Sequence, residues 1–141
     1  MTEMDDKIER LETLTDRLEM LEWEQLRQRA TVALDGFLTY STEAMLIVSP
    51  KGRILGLNQR AKELFGYTGD QLIKQSTETI VAADERVLHR ACRDEYLHAA
   101  DTRIVEVRGE RSDGTVVPLS VILNPVVIEG QHIALAVCRV K

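Results

Sequence analysis

Two histidines, a cysteine and a tyrosine share one fifteen-residue stretch, "DERVLHRACRDEYLH", residues 84–98. Asp84 suits the cap of a helix, and at helical pitch His89, Cys92 and Tyr96, spaced three and four apart, fall along one flank. A neutral imidazole nitrogen is a good ligand for iron or zinc. His89 and Cys92 supply only two ligands, however, where a zinc site normally needs more, and His98 lies on the opposite flank. Leu88, Ala91, Cys92 and Ala99 mark an apolar arc, with His89 at its edge, about 100° from Leu88. An edge histidine packs its ring and keeps its polar tip wet. Catalytic patterns are missing: no glycine-rich phosphate loop follows a strand, and neither HExxH nor Gly-x-Ser-x-Gly occurs. The chain is expected not to be an enzyme.

The rest of the chain must position that helix. Its 141 residues suit one domain plus an appendage, and an apolar share of 44% is ordinary for a folded protein. The longest apolar runs, such as "IALAVC", are too short to cross a bilayer, and the acidic start "MTEMDDKIER" is no secretory signal. Two cysteines form no disulfide framework, so a reducing, cytoplasmic location is expected. Residues 1–40 hold ten acids and five bases, whereas residues 41–141 hold thirteen of each. The net charge of −5 therefore sits at the front, and no basic face predicts nucleic-acid binding.

From Met4 to Ala33 the chain contains no glycine or proline and is rich in Glu, Leu, Arg and Met, which predicts a long helix. Met4, Leu11, Leu14, Leu18 and Leu21 follow the three-and-four spacing of a coiled coil, with Lys7 at one d position and Ile8 beside the seam. Gln25 and Gln28 then interrupt it. A second stripe, Trp23, Leu26, Ala30, Ala33 and Phe37, begins about 160° around the helix from the first. Two readings stand: one amphipathic helix lying on its own domain, or a dimerising coil whose far end docks on the globular part. Three heptads alone make a weak coil, so the second reading needs the docking. The expected organisation is a helix over 1–34 and a domain over 35–141.

Beyond Tyr40 the texture changes. "EAMLIVS" and "RILGLN" read as strands about a "PKG" turn, and Asn58 can cap a helix that stops at Gly66. Thr68 and Gln71 fit a capping box, and Ser76 suits another short helical start. "TRIVEVRGER", "TVVPLSVILNPVV" and "HIALAVCRV" follow, joined by Asp113-Gly114 and Glu129-Gly130, both hairpin signals. The pattern predicts an α+β fold with an antiparallel sheet. Val105 and Val107 alternate with Glu106 and Arg108, so one side of that strand is wet. The first and last strands are apolar on both sides, which puts them at the centre. Helices should cover one face, and the Trp23–Phe37 stripe is suited to cover the other.

The run "EAMLIVSPKGRILGLNQRAKELFGYTGDQLIKQS", with the later "GERSDGTVVPLSV", resembles a PAS domain, the small sensory module of signalling proteins. Gly52, Asn58, Ala61, Phe65-Gly66-Tyr67, the run Leu72–Gln75, Asp113-Gly114 and Pro118 carry the likeness over roughly residues 35–140. Gln75 stands where the family usually has glycine. The resemblance implies a five-stranded antiparallel sheet of order 2-1-5-4-3, with short helices on one face and the long N-terminal helix outside. It also implies a pocket between sheet and helices that holds haem, flavin or a metabolite, or nothing at all.

Absence of a cofactor is the first expectation, with haem through His89 next and flavin after it. Oxygen-sensing haem members of the family place a histidine on the long helix with a tyrosine seven residues later, as His89 and Tyr96 do here. Their oxygen-holding arginine has Val105 in its place, with Arg103 and Arg108 nearby. Cys92 lies on the long helix, not in the Asn-Cys-Arg-type motif that forms a blue-light adduct. The expected function is a signal-transducing sensory and dimerisation domain, a parallel homodimer seamed by Leu11, Leu14, Leu18 and Leu21, with a docking stripe of Trp23, Leu26, Ala30 and Phe37. A haem-binding gas or redox sensor and a ligand-free interaction scaffold are the alternatives. The family's link into an output domain is not found before Lys141, so the output partner lies outside this chain or the signal leaves through the helix.

Overall fold

The computed structural model describes residues 2–97 and 100–141, leaving out the side chains of Asp94, Tyr96 and Leu97. Helix α1 runs from Glu3 to Tyr40. Thr2 opens it with a reciprocal box: the Asp5 N–H donates to Thr2 Oγ1 (3.3 Å) and the Thr2 N–H donates to the Asp5 carboxylate (3.1 Å). The helix passes the expected boundary at residue 34 without a break and continues through Gly36. An exposed glycine costs a helix only about 1 kcal/mol. Buried Leu34 and half-buried Leu38, on either side of it, offset that by packing on the domain.

The five strands, β1 (Ala44–Val48), β2 (Ile54–Leu57), β3 (Arg103–Glu110), β4 (Val116–Ile128) and β5 (Gln131–Val140), form one antiparallel sheet of order β2-β1-β5-β4-β3. β1 and β5 lie inside the sheet, as their two-sided apolar pattern requires. Glu129 and Gly130 both take left-handed φ values, +48° and +80°, which the two-residue β4–β5 turn demands.

Two apolar layers sandwich the sheet. On the inner face Leu46, Val48, Ile54, Phe65, Leu72 and Leu119 pack together beneath helix α2 (Gln59–Phe65). Asn58 ties α2 to β1: its Oδ1 accepts from the N–H groups of Ala61 (2.9 Å) and Met45 (3.0 Å), and its Nδ2 donates to the Glu43 carbonyl (2.8 Å). On the outer face Ala30 and Leu34 of α1 pack on Ile47, Leu55, Ile133 and Leu135. Gly56 lets α1 approach β2, since a Cβ there would stand 3.1 Å from Thr31 Cγ2.

Three local expectations are corrected. The Thr68 N–H does donate to Gln71 Oε1 (3.1 Å), but residues 69–74 remain a series of turns and no helix follows. The start expected at Ser76 is present, as a 3₁₀ turn over Thr77–Ile80 that Ser76 caps. Asp84 does not cap the long helix α3, which begins at Arg86; Asp84 and Glu85 instead bind Arg108 on β3. The expected arc of α3 is split, with Cys92 turned inward but Leu88 and Ala91 turned out. Leu88 is 68% exposed and Ala91 is exposed, while Arg86, His89, Cys92 and Arg93 face inward. Ala99 and His98 lie outside the described residues.

Candidate functional site

The inward face of α3 is polar because its partners are acidic. Glu78, in the 3₁₀ turn, is only 3% exposed. Arg93 Nη1 donates to both of its oxygens, at 2.9 and 3.1 Å, and the Ser76 and Thr77 hydroxyls also donate to it. His89 Nδ1 lies 3.7 Å from Glu78 Oε1. One turn earlier Arg86 Nη2 pairs with Glu110 on β3 at 2.5 Å, and its Nε donates to the Val81 carbonyl. Side-chain ion pairs therefore hold α3 over the sheet where apolar contacts would be usual. A buried carboxylate is tolerated only when so compensated.

Burial alone would push the Glu78 carboxyl up. The Ser76 hydroxyl, a backbone N–H and the charges of Arg93 and His89 together hold it below the ordinary carboxylate range. His89 is pushed down, first by burial and also by the Arg93 charge, against the pull of Glu78 and Glu85. Burial pushes the Cys138 thiol up to about 12, so it is inert.

Beneath this cluster lies a cavity of about 70 Å³. Its walls are apolar residues of the sheet, among them Leu46, Val107, Leu119, Val121 and Cys138, and Thr77, His89 and Arg93 form its polar end. Drug-sized ligands occupy roughly 300–1,000 Å³. The space accepts only a few molecules the size of water. A haem or flavin ring does not fit while Arg93 holds Glu78, even though His89 lies at the wall. Val105 lines the cavity, as does His89; Cys92 does not, and the side chain of Tyr96 is outside the described residues. Local periodicity gave no sign of Glu78, a lone acid in a polar run. Its one signal is the pair of hydroxyls in "STE", which can solvate a carboxylate.

On α1, Leu11, Leu14, Leu18 and Leu21 are each 54–62% exposed. Trp23, Leu26 and Ala30 lie against the outer face, but Phe37 is 61% exposed. Leu34 and Leu38 take its place. They lie about 40° and 80° around the helix from Ala30, so the line of contact winds as α1 crosses the twisted sheet. Thr31 and Leu38 both border Gly56 on the edge strand β2, and Phe37 is left outside.

Residues 33–141 match the PAS fold family. An uncharacterized protein of Azorhizobium caulinodans is 32% identical over 92 residues, which is 62% of this chain. The chain spans 12% of that relative's length. The PAS domain of an HTR-like protein from Haloarcula marismortui superposes with a TM-score of 0.64 at 21% identity, covering 90% of this chain and 99% of the other. A PAS domain from a two-component sensor histidine kinase gives 0.62 at 14% identity, with 87% and 99% covered. With the sheet order and the matched residues in agreement, the chain belongs to the PAS fold family.

Proposed function

We propose that this PAS domain is a sensory and dimerisation module that pairs through α1 as a parallel homodimer and passes a change at its cavity to that helix. The carrying observation is the projecting half of α1. Residues 3–22 are exposed throughout, a stretch of about 30 Å at 1.5 Å per residue. An isolated helix of that length is marginal in water, and this one shows four leucines at heptad positions. A second copy of α1 covers them.

Charge favours the parallel, in-register arrangement. With Leu11 and Leu18 at a positions and Leu14 and Leu21 at d, Arg17 and Glu24 fall at g, and Glu22 and Arg29 at e. In a parallel pair Arg17 meets Glu22 of the second copy, and Glu24 approaches its Arg29, which already pairs with Glu129 of its own chain at 2.9 Å. Gln25 and Gln28 then face their own counterparts and can bond amide to amide. Sedimentation tests this. The chain is expected to be a dimer and the Leu14→Glu/Leu18→Glu variant a folded monomer; an unchanged dimer would reject the seam.

The small cavity favours a second reading, a scaffold whose core is already filled. A ligand of a few heavy atoms that raises the melting temperature would argue against it. The haem reading through His89, with Tyr96 seven residues on, requires α3 to release Glu78 and swing outward. A Soret band on haem addition that disappears in His89→Ala is its test.

A further inference from the structure

The cavity and helix α1 touch opposite ends of the same five residues. Residues 74–78 pass along the edge of the sheet where the β1–β2 turn enters β2, ahead of and into the 3₁₀ turn. The Lys74 N–H donates to the Ile54 carbonyl (2.8 Å), the Ile54 N–H to the Gln75 carbonyl (2.9 Å), and the Thr77 N–H to the Gly52 carbonyl (3.0 Å). Arg53 and Ser76 form an antiparallel bridge between them. Bonded in this way, the segment moves with β2 and not as a loose loop.

Its first end reaches α1. Lys74 has φ +74°, a left-handed conformation that a residue with a side chain rarely adopts. Its ammonium stands 5.6 Å above the centre of the Trp23 ring, and Arg27 lies 6.0 Å from the same ring. The Trp23 Nε1 is buried without a hydrogen-bond partner among the described residues. Packing and these cations therefore set the ring's position. The other end reaches the cavity. Thr77 lines it, and Glu78 is gripped by Arg93, which lines it too. Arg93 also lies flat against the β1–β2 turn, where a Cβ on Gly52 would stand 3.1 Å from its Cδ.

We infer that residues 74–78 are the link between cavity and output helix, with the Glu78–Arg93 pair at one end and the Lys74–Trp23 stack at the other. An occupant that displaces the Arg93 guanidinium releases Glu78, shifts the segment together with the start of β2 to which it is bonded, and moves Lys74 off the indole. This deepens the proposed function and rests on its reading of α1 as the output element. The left-handed Lys74 holds the ammonium over α1; without the stack, the segment would end with nothing to push.

Trp23 is the chain's one tryptophan, so its fluorescence reports on the link directly. The full chain would be compared with Arg93→Met, with the milder Arg93→Lys, and with both changes in a Lys74→Met background, each checked for folding by far-ultraviolet circular dichroism. The expected result is a red shift and easier acrylamide quenching of Trp23 on changing Arg93, an effect lost when Lys74 is methionine. A Trp23 signal indifferent to both Arg93 variants in folded protein would overturn the link. So would an Arg93 effect that persists in the Lys74→Met background, because coupling would then run through the sheet. Sedimentation of the same samples separates the two proposals: a Trp23 response in a monomer keeps the link and rejects the homodimer, and a dimer without the response does the reverse.

Discussion

At the scale of single residues, the Glu78–Arg93–His89 cluster at the polar end of the cavity bears on stability. Breaking a buried pair leaves an uncompensated charge, so Arg93→Met should cost about 3 kcal/mol, the low end of the range for such pairs because Arg93 is one-quarter exposed. Removing both members together, in Glu78→Gln/Arg93→Met, should cost less than the sum of the single changes in urea titrations. The pH dependence follows from two depressed pKa values. His89 is held below its ordinary 6.5 and Glu78 below its ordinary 4.5 when folded. Each group therefore contributes stability that is complete above its unfolded pKa and is lost as pH falls through its folded pKa. The melting temperature should begin to fall below about pH 6.5 and fall further below about pH 4.5. His89→Gln should remove the first fall and leave the second. A melting temperature that rose on acidification through the His89 range would contradict the burial assigned to it.

At the scale of elements, α1 and α3 show what periodicity can and cannot read. For α1, heptad spacing marks Trp23, Leu26 and Ala30, which lie on the sheet, but extends the line to Phe37 where the contact has wound on to Leu34 and Leu38. Leu34→Ala should therefore destabilise by about 2–4 kcal/mol. Phe37→Ser should stay within about 0.5 kcal/mol at concentrations where the chain is monomeric. Chemical denaturation of the two variants checks the assignment; a Phe37 effect as large as that of Leu34 would restore the straight stripe. For α3, the apolar arc through Leu88 and Ala91 points outward. Its orientation is decided by Glu78 in a preceding turn and by Glu110 on β3, and no count of residues within a helix contains those partners.

At the scale of the whole molecule, the proposed pairing through the projecting half of α1 would make stability depend on association. A chain whose helix is completed by a second copy should melt at a temperature that rises with protein concentration. The Leu14→Glu/Leu18→Glu variant should melt independently of concentration, near the wild-type value at high dilution, because the docked half of α1 and the sheet remain whole. Raising salt should weaken pairing modestly, since Arg17, Glu22, Glu24 and Arg29 would pair at an exposed coil surface.

The amino-acid sequence by itself determined the elements and their order. Asn58 and Gly66 bound a helix, Asp113-Gly114 and Glu129-Gly130 turn hairpins, and two-sided apolar strands belong inside the sheet, because capping, turn geometry and burial act over a few neighbouring residues. Tertiary structure alone decided the site. The meeting of Glu78 with Arg93, of Lys74 with Trp23, and the choice of Leu34 over Phe37 depend on where a twisted sheet places residues distant along the chain. Side-chain electrostatics and close packing act across space, so local spacing carries no record of which partners the fold will bring together.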